Sequence, residues 1–247
     1  MRAHQYSLGA YYSGLKGWEF SIEGYFKDMR NVLEYKDGTS FLGNSSNWEQ
    51  KVEMGKGRSF GAEFQIQKTM GRTTGWISYT LAKADRQFSK GEINDGKRFL
   101  YKYDRRHTVN LTVNHKFSDR IDVNATWVFA TGNTTTLSEE QTATIVPKES
   151  GFNYFTYDQS KHTVYPGDHI GSRNNYRLPS SHRLNVGINF RKKTKRGERI
   201  WNVGLYNAYN AMNPNFVYWT INDNDQLVLK KITKLPLIPL FTYTYKF

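Results

Sequence analysis

The chain has 247 residues, with 35 Lys and Arg against 22 Asp and Glu, for a formal net charge of +13. It holds no cysteine, which excludes disulfide scaffolds, thiolate metal centres and cysteine nucleophiles. Aromatics make up 15% of residues while mean hydropathy stays at −0.72, and no apolar run approaches the roughly 18 residues of a membrane-spanning helix.

Helical periodicity is almost absent, and period-two alternation predicts strands from end to end. Tyr6, Leu8, Ala10 and Tyr12 share one face, opposed by Gln5, Ser7 and Gly9. After a turn at Ser13-Gly14-Leu15-Lys16-Gly17, Trp18, Phe20, Ile22 and Phe26 alternate with Glu19, Ser21, Glu23 and Lys27. Phe60, Ala62, Phe64 and Ile66 oppose Gly61, Glu63, Gln65 and Gln67; past Met70-Gly71-Arg72, Ile77, Tyr79 and Leu81 oppose Ser78 and Thr80. Val109, Leu111 and Val113 oppose Thr108, Asn110, Thr112 and Asn114. Beyond the Phe117–Arg120 turn, Ile121, Val123, Ala125, Trp127 and Phe129 oppose Asp122, Asn124 and Thr126. Leu184, Val186, Ile188 and Phe190 oppose Arg183, Asn185 and Asn189, and Trp201, Val203 and Leu205 open the next strand. The last hairpin reads as one long strand over 200–222, a turn at Asp223-Asn224-Asp225 and a return over 227–247, with Pro214 and Pro236 at a shared bulge. Phe241, Tyr243, Tyr245 and Phe247 close the chain, opposed by Thr242, Thr244 and Lys246.

The polar face decides the class. It is mostly Asn, Thr, Ser, Gln and Gly, which suits a wet lumen, whereas a soluble sandwich keeps a solvated and often charged polar face. Trp and Tyr near the strand ends fit the interfacial girdles of membrane barrels. Tight turns near Gly14, Gly71, Asp119 and 192–198 alternate with long loops at about 29–57, 85–101 and 132–179. Outer-membrane barrels pair short periplasmic turns with long extracellular loops. The expected fold is therefore all-β: part of an antiparallel transmembrane barrel of about nine strands spanning residues 1–247. Bacterial single-chain barrels are even-stranded, and Met1–Tyr6 leads into alternation without a signal peptide, so the preceding strands are expected upstream. The lipid-facing set includes Leu111, Val113, Trp127 and Ile188; the lumen-facing set includes Glu63, Thr112, Asn114, Asn124 and Asn189.

Several segments in this order and spacing together resemble the TonB-dependent outer-membrane receptors, in the style of the Bacteroidetes group. They are Glu23–Asn31, Gly57–Glu63, Trp76–Leu81, Tyr103-Asp104-Arg105-Arg106-His107, Asn207-Ala208-Tyr209-Asn210 with Asn213-Pro214, and Tyr243–Phe247. The resemblance implies a barrel of about 22 strands plugged by an N-terminal domain, of which this chain supplies the C-terminal part. It also implies that the plug and the TonB contact reside elsewhere, and that Phe241, Tyr243, Tyr245 and Phe247 form the signal read by the barrel-assembly machinery. Strand capture by main-chain pairing is the physical counterpart of that signal.

Other motifs are weaker. Gly57-Arg58-Ser59-Phe60-Gly61 fits G-x-S-x-G, but a nucleophile elbow needs a strand, a turn and a helix, and a strand pattern follows. Arg191–Arg196 is a basic run without an aromatic platform, so it reads as a turn and no nucleic-acid partner is expected. The basic excess suits lipopolysaccharide phosphates outside or anionic lipid inside. His162, Asp168 and His169 lie close in sequence, yet an ordinary polar loop accounts for them, and neither a metal nor a cofactor is assigned. The leading expectation is a wall segment of a nutrient receptor in the Gram-negative cell outer membrane, unable to transport alone. A stand-alone small barrel acting as a passive pore or adhesin is the alternative, ahead of a soluble sandwich and an enzyme.

Overall fold

The computed structural model describes residues 1–37, 48–147, 162–224 and 226–247, and over 140–147 and 162–168 the backbone alone. The elements in order are β1 (Arg2–Tyr12), β2 (Trp18–Tyr35), β3 (Val52–Lys68), β4 (Thr73–Gln87), β5 (Phe99–Leu100), β6 (His107–Lys116), β7 (Ile121–Ala130) and β8 (Thr134–Thr135). They continue as β9 (Glu140–Pro147), β10 (His162–His169), β11 (Tyr176–Arg177), β12 (Ser181–Thr194), β13 (Gly197–Tyr206), β14 (Pro214–Ile221), β15 (Leu227–Thr233) and β16 (Ile238–Lys246). The main sheet runs β1-β2-β3-β4-β6-β7-β12-β13-β16, antiparallel throughout, with β5 paired to β4. The β9–β10, β8–β11 and β14–β15 pairs form three small sheets in the long connections. Among the described residues no helix is long and apolar enough to cross a membrane, which does not bear on strands.

Register carries the alternation across the sheet, because directly opposed residues of an antiparallel pair share a face. One apolar row crosses six strands as Phe20–Ile66–Ile77–Leu111–Trp127–Leu184. On the other side, Glu19–Gln67–Trp76–Thr112–Thr126–Asn185 forms a mostly polar row. The buried core does not lie beneath the sheet. Val32, Phe88, Ile93 and Phe99, with Met29 against them, form a small cluster at the long-connection end. The apolar sheet face instead stays open: Leu8 is 85% exposed and Phe241 is 67% exposed.

The loop expected over 29–57 is shorter, because β2 continues to Tyr35 and β3 begins at Val52. A bulge makes this possible: Asn31 adopts φ 56, the register shifts between Arg30 and Val32, and Val32 turns onto the side of Met29. The strand expected over 200–222 is two pieces. β13 stops at Tyr206 because Asn207 and Asn210 both take φ 53, and β14 pairs only with β15. A bulge does occur at Pro214, where the register shifts before Phe216, but Pro236 lies outside the ladder. The basic run is mostly strand, since β12 reaches Thr194 and leaves only Lys195 and Arg196 in the turn. The turn near Asn224 closes through the Asn222 N–H to the Gln226 carbonyl at 2.9 Å, while Asp225 lies outside the described residues. Gly57–Gly61 sits inside β3, so no turn or helix follows Ser59 to build a nucleophile elbow.

Candidate functional site: two sheet faces and a knitted loop end

Glu63, Thr112, Asn114, Asn124 and Asn189 share one face with Thr80, Thr126, Gly187 and Asp122 through the register. Leu111, Val113, Trp127 and Ile188 occupy the other, opposed by Ile77, Ala125 and Val123. The polar face is hydrogen-bonded laterally. Asn202 donates to Asn189 at 2.7 Å, Asn189 donates to Asp122 at 2.7 Å, and Arg191 reaches Asp122 at 2.8 Å. Over β1–β4 a cavity of about 650 Å³ is lined by Tyr11, Glu23, Glu63, Gln65, Trp76 and Thr80 among others. Glu23 and Glu63 are directly opposed there, an unfavourable like-charge pair that is tolerated because both are exposed to water. Amides, hydroxyls and carboxylates in this arrangement can hydrogen-bond a polar solute.

The apolar face is bounded at both ends by amphipathic side chains. At the long-connection end the Tyr79 hydroxyl meets His107 Nδ1 at 2.8 Å, and the Tyr209 hydroxyl meets both Trp127 Nε1 (3.1 Å) and His182 Nδ1 (2.8 Å). At the short-turn end Thr73 meets His115 Nδ1 at 2.7 Å, and Trp201 packs on Tyr243 with centroids 4.5 Å apart. Between His107 and His115 on β6 the face presents only Val109, Leu111 and Val113. From His107 to His115 the strand rises about 27 Å along its own axis, which at the roughly 35–45° tilt of outer-membrane barrel strands is about 20 Å of height, against an apolar band about 25 Å tall.

The long-connection end is held by ion pairs that the sequence did not announce. Arg86 pairs with Glu34 and stacks on Tyr101, its guanidinium carbon 3.8 Å from the ring centre. Arg173 binds Glu34 (3.3 Å), Asp37 (2.7 Å) and the Tyr35 carbonyl (2.8 Å), tying the connection before β12 to the end of β2. Arg173 and its partners lie more than a hundred positions apart, so no local pattern could have found them. Asp104 is fully buried; it pairs with Arg177 and accepts the Ala84 N–H at 2.7 Å. Asn207 is also fully buried, bonding Ala211 and the Leu235 carbonyl. Both lie in segments that carried the family resemblance, which was the available signal. The candidate His162, Asp168 and His169 is drawn out along β10, its first and last Cα atoms about 23 Å apart for an extended strand. Among the described residues no group of three potential metal ligands occurs.

In fold, this architecture is that of a stretch of β-barrel wall. The chain is similar to the ferric-catecholate import receptor Fiu from E. coli K12, with a TM-score of 0.55, 15% identity, and coverage of 98% of this chain and 27% of that one. It is similar to the ferric citrate transporter FecA in its unliganded form, with a TM-score of 0.57, 14% identity, and coverage of 97% and 30%. The ferripyoverdine receptor of the outer membrane of Pseudomonas aeruginosa, bound to ferripyoverdine, gives 0.53, 12% identity, and coverage of 98% and 26%. The chain thus spans about 30% or less of the length of each of these proteins. No protein-family model and no curated protein matches the sequence.

Proposed function

We propose that the chain is a wall segment of a TonB-dependent receptor that imports a nutrient across the outer membrane of a Gram-negative cell. The observation that carries this is the continuous separation of faces, with an apolar band about 20 Å tall at barrel-strand tilt on one side. On this reading Leu111, Val113, Trp127 and Ile188 meet lipid, and Glu63, Thr112, Asn114, Asn124 and Asn189 line the lumen. Phe241, Tyr243 and Tyr245 lie on one face of β16, whose other backbone edge is unpaired among the described residues, and with Phe247 just beyond its end they act as the assembly signal for the barrel-assembly machinery. Lipopolysaccharide phosphates meet the basic residues outside, and TonB acts through a plug domain belonging to another part of the receptor. The segment is a wall and not an enzyme. Paired arginine substitutions on the two faces, argued in the Discussion, test the assignment.

Two further outcomes are expected. Cells expressing only residues 1–247 show no energy-dependent uptake of any ferric chelate, vitamin or glycan fragment, measured with and without a protonophore; uncoupler-sensitive accumulation refutes the wall-segment role. The purified chain without detergent sediments as dimers and larger species, because β1 and β16 each offer a strand edge that is open among the described residues. A monodisperse monomer in plain buffer contradicts the membrane reading.

A further inference from the structure

Where β13 leaves the sheet, a small cavity of about 200 Å³ is lined by Arg105, Arg183, Lys234, Ser181, Tyr206 and Asn213 among others, and its lining contains no carboxylate. The three cations come from separate stretches: Arg183 from β12, Arg105 from between β5 and β6, Lys234 from between β15 and β16. Among the described residues none of the three has a carboxylate oxygen within 4.0 Å. Asp104, next to Arg105 in sequence, is already engaged by Arg177 and Arg106.

Arg183 is the most constrained of the three. It donates to the Tyr206 hydroxyl at 2.5 Å and sits 4.4 Å from that ring's centre, yet its Nε is buried with no acceptor. Arg105 Nε donates to Asn133 at 2.8 Å, and its two terminal nitrogens have no protein acceptor among the described residues. A buried N–H without an acceptor is a standing cost, and like charges around one cavity repel. A bound oxyanion offsets the repulsion, through charge-assisted bonds to terminal guanidinium nitrogens.

We propose that this cavity binds one oxyanion group, a carboxylate, phosphate or sulfate, of a small solute. Pockets for whole drug-sized ligands span roughly 300–1,000 Å³, so this one holds the anionic group of a ligand rather than all of it. Arg183 and Arg105 supply the directed donors, and the exposed Lys234 supplies charge at the mouth. Only the direction of approach, from the lumen, depends on the wall assignment.

Titration of inorganic phosphate into the full chain folded in detergent, at ionic strength fixed with chloride, tests the site by calorimetry. One saturable site is expected, weakened about tenfold in Arg183→Gln, as loss of one charge-assisted bond implies. Arg105→Gln and Lys234→Gln alter exposed side chains, so their sheet content by circular dichroism stays at the wild-type value while binding weakens several-fold. Absence of saturable phosphate binding by the wild-type chain overturns the proposal, as does unchanged binding in the Arg105→Gln, Lys234→Gln double variant. Either result leaves the wall assignment standing, because that is read from the arginine substitutions on the sheet faces.

Discussion

Leu111→Arg lowers the unfolding free energy by about 2–4 kcal/mol in lipid vesicles, while Thr112→Arg costs less than about 1 kcal/mol. The two residues are neighbours on β6 and differ only in the face they present. Leu111 lies midway between His107 and His115, opposed by Ile77 on one side and Trp127 on the other, at the centre of the bare apolar band. A guanidinium there sits among Ile77, Val109, Val113 and Trp127 and must either displace lipid or thread toward the headgroups. Thr112 opposes Trp76 and Thr126 on the polar face, its hydroxyl 3.4 Å from that of Thr126. An arginine at 112 projects into water beside other hydrogen-bonding groups. Reversible denaturant unfolding of the two variants gives the comparison directly. Equal costs at the two positions would remove the basis for calling one face lipid-exposed. A larger cost at Thr112 would invert the barrel.

The facing of the sheet was legible in the sequence because it depends only on the two-residue period of a strand. Leu111 and Thr112, or Ile188 and Asn189, are separated by a rule that needs no partner. The short turns were legible for the same local reason. What escaped was non-local or hidden in single residues. The bulge at Asn31 extends β2 past the point where alternation breaks, so the strand looked finished at the irregularity. The end of β13 rests on Asn207, whose left-handed backbone and buried amide depend on Leu235, 28 positions away. Arg183 was placed on the correct face by alternation, but its companions Arg105 and Lys234 come from connections that carry no period. The ladder of Asp122, Asn189 and Asn202 follows from register, which alternation constrains only once strand neighbours are known.

Asp104→Ala is expected to release the connection between β7 and β12 from the rest of the long-connection end. The Asp104 side chain is 0% exposed, whereas Arg177 on β11 is 30% exposed. Arg177 also donates to the Asp104 and Gly132 carbonyls, each at 2.8 Å, so a single guanidinium fastens β11 to the segment before β6. Removing the carboxylate leaves that cation half-sheltered and the Ala84 N–H without its acceptor. Breaking a buried pair from one side costs about 3–5 kcal/mol; with Arg177 partly solvated, the lower end of that range applies. The loss is local, because the ladder from β1 to β3 draws nothing from Asp104. Hydrogen exchange should therefore quicken at the Ala84 amide and at Leu178, whose N–H bonds the Asn133 carbonyl at 2.9 Å. Amides of β2 and β3 should keep wild-type protection. Asp104→Asn retains an acceptor for Ala84 but not the charge, and falls between the two. If Leu178 exchanges at the wild-type rate in Asp104→Ala, the carboxylate is not what holds this connection down.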